Sequence, residues 1–116
     1  MTQKLSVLVI EDEKSIGDFI GKTLTSHDYK VTTASTGKDG LAILTSSLPD
    51  VVLLDLGLPD MDGIDIIKQT REWSSLPIIV ISARVQEREK VAALDAGADD
   101  YITKPFGTEE LMARIR

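Results

Sequence analysis

Apolar residues fall along the chain in five short runs, "LSVLVI" (5–10), "KVTTA" (30–34), "VVLLDL" (51–56), "PIIVIS" (77–82) and "DYITK" (100–104). Short apolar runs bounded by polar stretches predict strands, and their alternation with helix-patterned segments predicts a parallel sheet covered on both faces. Between the first two runs Ile16, Phe19, Ile20 and Leu24 stand at i, i+3, i+4 and i+8, one stripe of a helix turned toward the sheet. The same spacing predicts helices around Leu41 to Leu44, Ile64 to Trp73 and Glu87 to Ala96, and another from about Thr108. Gly97 is a stop signal for the fourth helix, and Asp62 or Gly63 can start the third. The closing "EELMARIR" keeps its helical period through Arg116 without a stop, so the chain is expected to be part of something longer.

Composition narrows what such a sheet can do. With 116 residues, 42% of them hydrophobic, the chain can close one core and hold one domain. A net charge of -6 repels phosphate backbones and argues against nucleic-acid binding by this chain alone. There is no cysteine, and His27 is the single histidine, which excludes thiolate chemistry and a multi-histidine metal centre. No apolar run approaches the roughly 20 residues that span a bilayer, and the start "MTQKLSVLVIEDEK" lacks a secretory leader's apolar stretch. The expectation is a cytoplasmic protein without membrane contact.

The run Val51 to Leu54 ends on a carboxylate, Asp55, with no basic neighbour. In a parallel α/β sheet ligands bind outside the carboxyl ends of the strands, so residues at those ends carry most weight. Glu11 and Asp12 end the first strand, Asp55 the third, Ser82 the fourth and Lys104 the fifth. Any one of these acids fits an ordinary loop charge. Together on neighbouring strands, acids about 4 to 6 Å apart would repel by roughly 3 to 4 kcal/mol per pair, a large fraction of a domain's stability. Two compensations are available: the Lys104 ammonium, and an oxygen-seeking cation, for which carboxylates, a backbone carbonyl and waters suit Mg2+.

These residues resemble a family. "VLVIEDE", "DVVLLDLGLPDMDG", "PIIVISAR" and "GADDYITKPF" are similar to the motifs of receiver domains of bacterial two-component response regulators, and the likeness covers the whole chain. "DLGLPDMDG", "REWSSLPIIVISAR" and "AALDAGADDYITKPFG" are most similar to the potassium-responsive members of the OmpR/PhoB subfamily. The resemblance implies a flavodoxin-like (βα)5 fold with strand order 2-1-3-4-5. It implies a phosphoacceptor switch that is not a turnover enzyme: Asp55 would take a phosphoryl group from a sensor histidine kinase. Mg2+ would be held by Asp12, Asp55 and the carbonyl of Gly57, with Glu11 bound directly or through water. Lys104 and Ser82 would grip phosphoryl oxygens, Tyr101 would be the switch aromatic, and Lys104–Pro105 would be cis. Gly57 and Arg84 would occupy positions that tune the phosphoryl lifetime. Lys90 with Glu110 and Asp100 with Arg114 would pair across a homodimer formed on phosphorylation. DNA would be reached only through a following winged-helix domain.

Two other classes share parts of this pattern. A haloacid dehalogenase phosphatase also uses an aspartyl phosphate but needs an acid two residues after it, where this chain has Gly57. A flavodoxin binds phosphate in a Ser/Thr/Gly loop after the first strand, where "EDEKSIG" would repel it.

Overall fold

A computed structural model of the chain describes residues 4–84 and 86–115. Five strands alternate with five helices: β1 (Ser6–Ile10), α1 (Lys14–Ser26), β2 (Lys30–Ala34), α2 (Gly37–Ser47), β3 (Val51–Asp55), α3 (Gly63–Arg71), β4 (Ile78–Ser82), α4 (Glu87–Ala96), β5 (Asp100–Thr103) and α5 (Thr108–Ile115). The strands form one parallel sheet in the order 2-1-3-4-5. The helical period read through Arg116 runs one residue past the described ones. Among the described residues no helix is long and apolar enough to cross a membrane.

The period of two along each strand sorts side chains onto two cores. Leu8, Ile10, Val52, Leu54 and Val80 pack under α2, α3 and α4 with Leu44, Ile66, Ile67 and Ala93. Val7, Val9, Leu53, Ile79 and Ile81 pack on the other face with Ile20 and Leu24 of α1 and Leu111 and Met112 of α5. Every residue of β3 and β4 is buried, which is why those runs are uninterrupted in the sequence while β2, at the edge, is polar.

Two expectations shift. Phe19, whose spacing predicts a place in the sheet-facing stripe of α1, is 43% exposed and meets Phe106 with ring centroids 6.1 Å apart. The stripe is narrower than its apolar letters, because Ile20 and Leu24 already fill the space against the sheet. Helix α3 ends at Arg71, short of Trp73, whose N–H donates to Thr70 in a tighter turn.

That early end serves Arg71. Its Nε donates to the carbonyl of Gly97 at 2.9 Å, Nη1 to that of Leu76 at 2.8 Å, and Nη2 to Asp99 Oδ2 at 3.1 Å. Asp99 Oδ2 also accepts the Ile78 N–H at 2.8 Å. One guanidinium therefore ties the end of α3 to the starts of β4 and β5. Gly97, in the left-handed region at φ 122, is required there, since a Cβ would lie 2.7 Å from the Arg71 side chain. Replacing Arg71 by Met should lower stability by about 2 to 4 kcal/mol in urea unfolding, because partly buried carbonyls lose their donors. A change below about 0.5 kcal/mol would show that the clamp is incidental.

Candidate functional site

Strand register brings the candidate residues to one edge. Ile10 pairs with Leu54, so the residues that follow, Glu11 and Asp55, leave the sheet side by side. Asp55 pairs with Ile81 and Ser82 with Thr103, and the Lys104 N–H donates to the Ser82 carbonyl at 2.8 Å. Four strand ends therefore converge.

Oxygen atoms of Glu11, Asp12 and Asp55 all lie within 4.8 Å of one another. Glu11 and Asp55 are buried and Asp12 is exposed, so the cluster opens to solvent on the Asp12 side. Lys104 Nζ is 2.7 Å from Glu11 Oε1 and 3.4 Å from Asp55 Oδ2. The shorter approach is an ion contact outside hydrogen-bond geometry, and it leaves Glu11 Oε1 a buried oxygen without a hydrogen bond among the described residues. Burial pushes the Glu11 carboxyl up to about 7, against the pull of Lys104 and of the Glu13 N–H; the Asp55 charge adds to the rise. Burial acts on the Lys104 ammonium in the opposite sense to Glu11 and Asp55, and the two acids prevail, so its value is raised. One lysine does not satisfy three acids.

An oxygen-only cluster of three carboxylates that share one ammonium, with an open side, fits a hard divalent cation such as Mg2+. Glu11, Asp12 and Asp55 could hold it. The loop after β3 is built to stay put beside them. The Gly57 N–H donates to Asp55 Oδ1 at 3.2 Å, and the Gly57 backbone pairs with that of Asp62 across the loop. Asp62 Oδ1 caps α3 by accepting the Ile64 N–H at 2.9 Å. Gly63 permits this close return, because a Cβ there would lie 2.8 Å from the Asp55 carbonyl oxygen. Asp60 accepts the N–H groups of Gly37 and Lys38 at 2.8 and 2.9 Å, docking the loop onto the start of α2; those two bonds hold its carboxyl below the usual range. Nothing in the letters marks this role, since "PDMDG" reads equally well as a plain turn.

The remaining candidates occupy the rim. Ser82 is buried, and its Oγ accepts the Arg84 N–H at 3.0 Å. Tyr101 is half-buried; its hydroxyl donates to the Arg84 carbonyl at 2.8 Å, and Lys90 Nζ stands 5.8 Å from its ring centroid. The Lys104–Pro105 peptide is cis. Arg114 pairs within the chain with Asp100 at 3.3 Å and Glu110 at 3.8 Å, while Lys90 lies against Tyr101. Sequence reasoning missed a groove beside the acids, lined by Ile16, Phe19, Ala83, Lys104, Pro105 and Phe106. The Phe19 displacement from the core is its signature.

With this geometry in hand, comparison with known proteins is direct. The profile of the response regulator receiver domain matches residues 7–116. The chain is 50% identical over 111 residues to the KDP operon transcriptional regulatory protein KdpE of Escherichia coli (strain K12), covering 96% of this chain and 49% of that protein. It is 47% identical over 116 residues to the response regulator ArlR of Staphylococcus aureus (strain USA300), covering 100% of this chain and 52% of that protein. The chain thus spans about half the length of the curated relatives it matches. The BeF3-activated N-terminal receiver domain of Klebsiella pneumoniae RstA superposes with a TM-score of 0.92 at 30% identity, over 96% of this chain and 95% of that one.

A pH dependence follows from Glu11. Its carboxyl is raised in the folded chain from 4.5 to about 7, so the stability it contributes is complete below pH 4.5 and is lost as pH rises through about 7. Without metal, the stability difference between wild type and Glu11→Gln should shift against wild type across that window, by on the order of 3 kcal/mol. Magnesium should raise the wild-type melting temperature more at pH 8 than at pH 5.5. A difference that is flat with pH would remove the burial argument.

Proposed function

The chain belongs to the response regulator receiver family, and on that premise we propose that Asp55 accepts a phosphoryl group from the phosphohistidine of a KdpD-like sensor histidine kinase. An Asp55 oxygen forms a bond to phosphorus, and the phosphorus–nitrogen bond breaks with its electron pair passing to the imidazole. Phosphoryl transfer asks for positioning and charge neutralisation more than for covalent help. The observation that carries this reading is the cluster of three acids sharing a single ammonium, which stands 3.4 Å from Asp55 Oδ2.

Each side chain then has a task. Asp12, Asp55 and the carbonyl of Gly57, with Glu11 directly or through water, would hold Mg2+, whose chemistry when bound would be neutralisation of the phosphoryl charge. Lys104 is held beside the accepting carboxylate and binds one phosphoryl oxygen. Ser82 turns its hydroxyl to another, and Tyr101 reports the change to the surface through the loop that carries Arg84. The apolar groove around Phe19 and Phe106 adjoins the site through Lys104, so a donor that brings its phosphohistidine to Asp55 can seat an apolar helix face there.

The output proposed is a homodimer through α4, β5 and α5, in which Lys90 meets Glu110 and Asp100 meets Arg114 of the second copy. DNA binding would be supplied by a winged-helix domain elsewhere in the full-length protein, with control of potassium-transport genes as its result. The matched KdpE protein is named a transcriptional regulator, and it is about twice the length of this chain. The 47% identity to ArlR supports a second reading, a receiver of another OmpR/PhoB-type regulator with a different kinase.

Incubation with acetyl phosphate and Mg2+ should add the mass of one phosphoryl group, and Asp55→Asn should abolish the gain. Rapid labelling by a KdpD-like kinase supports the narrower assignment, whereas preference for another kinase transfers it to the second reading. A wild type that gains no mass from any donor would end the proposal.

A further inference from the structure

Met61 lies in the loop after β3, between Asp60 and Asp62. Those neighbours anchor the loop in two directions. Asp60 accepts the Gly37 and Lys38 N–H groups at the start of α2, and Asp62 caps α3 and shares a backbone bridge with Gly57. The Met61 thioether fills the angle between them. It is half-buried against the core under α2 and α3 and rests on Gly37, where a Cβ would stand 2.5 Å from Sδ and 3.1 Å from Ile66 Cδ1. Gly37 is therefore kept bare for the sulfur. Met112, in contrast, is 8% exposed in the core under α1 and α5.

We propose that Met61 is a modification site: its oxidation to the sulfoxide by a peroxide lifts the loop after β3 off α2 and lowers the affinity of the acid cluster for Mg2+. This rests on the reading of Asp12, Asp55 and the Gly57 carbonyl, with Glu11, as a Mg2+ site. With hydrogen peroxide, a sulfur lone pair forms a bond to one oxygen while the oxygen–oxygen bond breaks, its electron pair leaving with the other oxygen as hydroxide. The hydroxide takes the proton from the sulfur-bound oxygen and departs as water, so sulfur gives up two electrons and the peroxide takes them. A sulfoxide is polar and bulkier than a thioether and no longer suits the contact with Ile66 and the bare Gly37 backbone. Its oxygen competes with Asp60 for the Gly37 and Lys38 N–H groups, or draws the side chain out to water. Both loosen the loop that carries Gly57.

The test titrates reduced and peroxide-treated wild type with Mg2+ by calorimetry. Peptide mass mapping should find an added oxygen on Met61 before Met112. Oxidation should raise the Mg2+ dissociation constant about tenfold, the scale for groups that support a metal ligand from behind, and methionine sulfoxide reductase should restore it. Met61→Leu, a swap of similar volume, should bind Mg2+ like the reduced wild type and ignore peroxide, whereas Met61→Gln should bind weakly without it. Asp60→Ala cuts the docking bonds directly; its affinity should fall by a similar factor, and peroxide should add little to that loss. Circular dichroism of the oxidised chain should match that of the reduced one, which separates a freed loop from a lost fold. Unchanged Mg2+ affinity after oxidation of Met61, an equal peroxide effect in Met61→Leu, oxygen arriving first on Met112, or loss of the fold overturns the proposal. A reduced wild type that takes up no Mg2+ overturns the reading of the acid cluster itself and this inference with it.

Discussion

Mutual repulsion of carboxylates at the end of a buried sheet is the constraint on which the site depends. Acid oxygens within 4.8 Å of one another face a single ammonium, and that ammonium sits closer to Glu11 than to Asp55. A pair at that separation repels by about 3 to 4 kcal/mol at an effective dielectric near 20. Burial of Glu11 compounds this, because desolvation disfavours its charged form. The metal-free chain therefore holds unfavourable charge that a cation or a change of protonation can relieve. The proposed response to a divalent ion and to a doubly charged phosphoryl group would draw on this imbalance.

Holding the imbalance requires rigid ends on both edges of the sheet. At the amino edge Arg71 and Asp99 tie α3, β4 and β5 together through backbone carbonyls and the Ile78 N–H. At the carboxyl edge Asp60, Asp62 and Gly57 fix the loop after β3 by bonds to N–H groups. Both devices use polar side chains to satisfy backbone groups that the sheet leaves open at its ends. The apolar strands set which residues arrive at the edge; the polar clamps keep them there.

What could be read from the letters follows this division. The five strands lie where the runs predict, within a residue or so at their ends, and in β1, β3 and β4 the apolar letters report burial directly. The convergence of Glu11, Asp12, Asp55 and Lys104 was legible because a parallel sheet aims every strand end at one edge. The roles of Arg71 and Asp60 were not. Each depends on a residue brought close by tertiary packing at 22 to 28 positions' remove, and an Arg or Asp in a turn looks the same whether or not such a partner is waiting. Phe19 misled for a related reason: periodicity tells which side of a helix is apolar, but how much of that side the sheet can cover depends on the bulk of Ile20 and Leu24.

Under the proposed switch, two copies would meet over charges that are already engaged. Arg114 already has Asp100 and Glu110 as partners in the single chain, and Lys90 already lies against the Tyr101 ring. Dimerisation through these charges would exchange one set of ion pairs for another, at little net gain because exposed pairs contribute about 0 to 1 kcal/mol each. Val91 and Leu94, each 46% exposed on α4, have no such substitute among the described residues, and burying them would be the term that favours association. On this accounting the charges set register and exclude wrong partners, while the apolar residues of α4 set affinity. Under the proposed switch, phosphorylation would have only a small balance to tip.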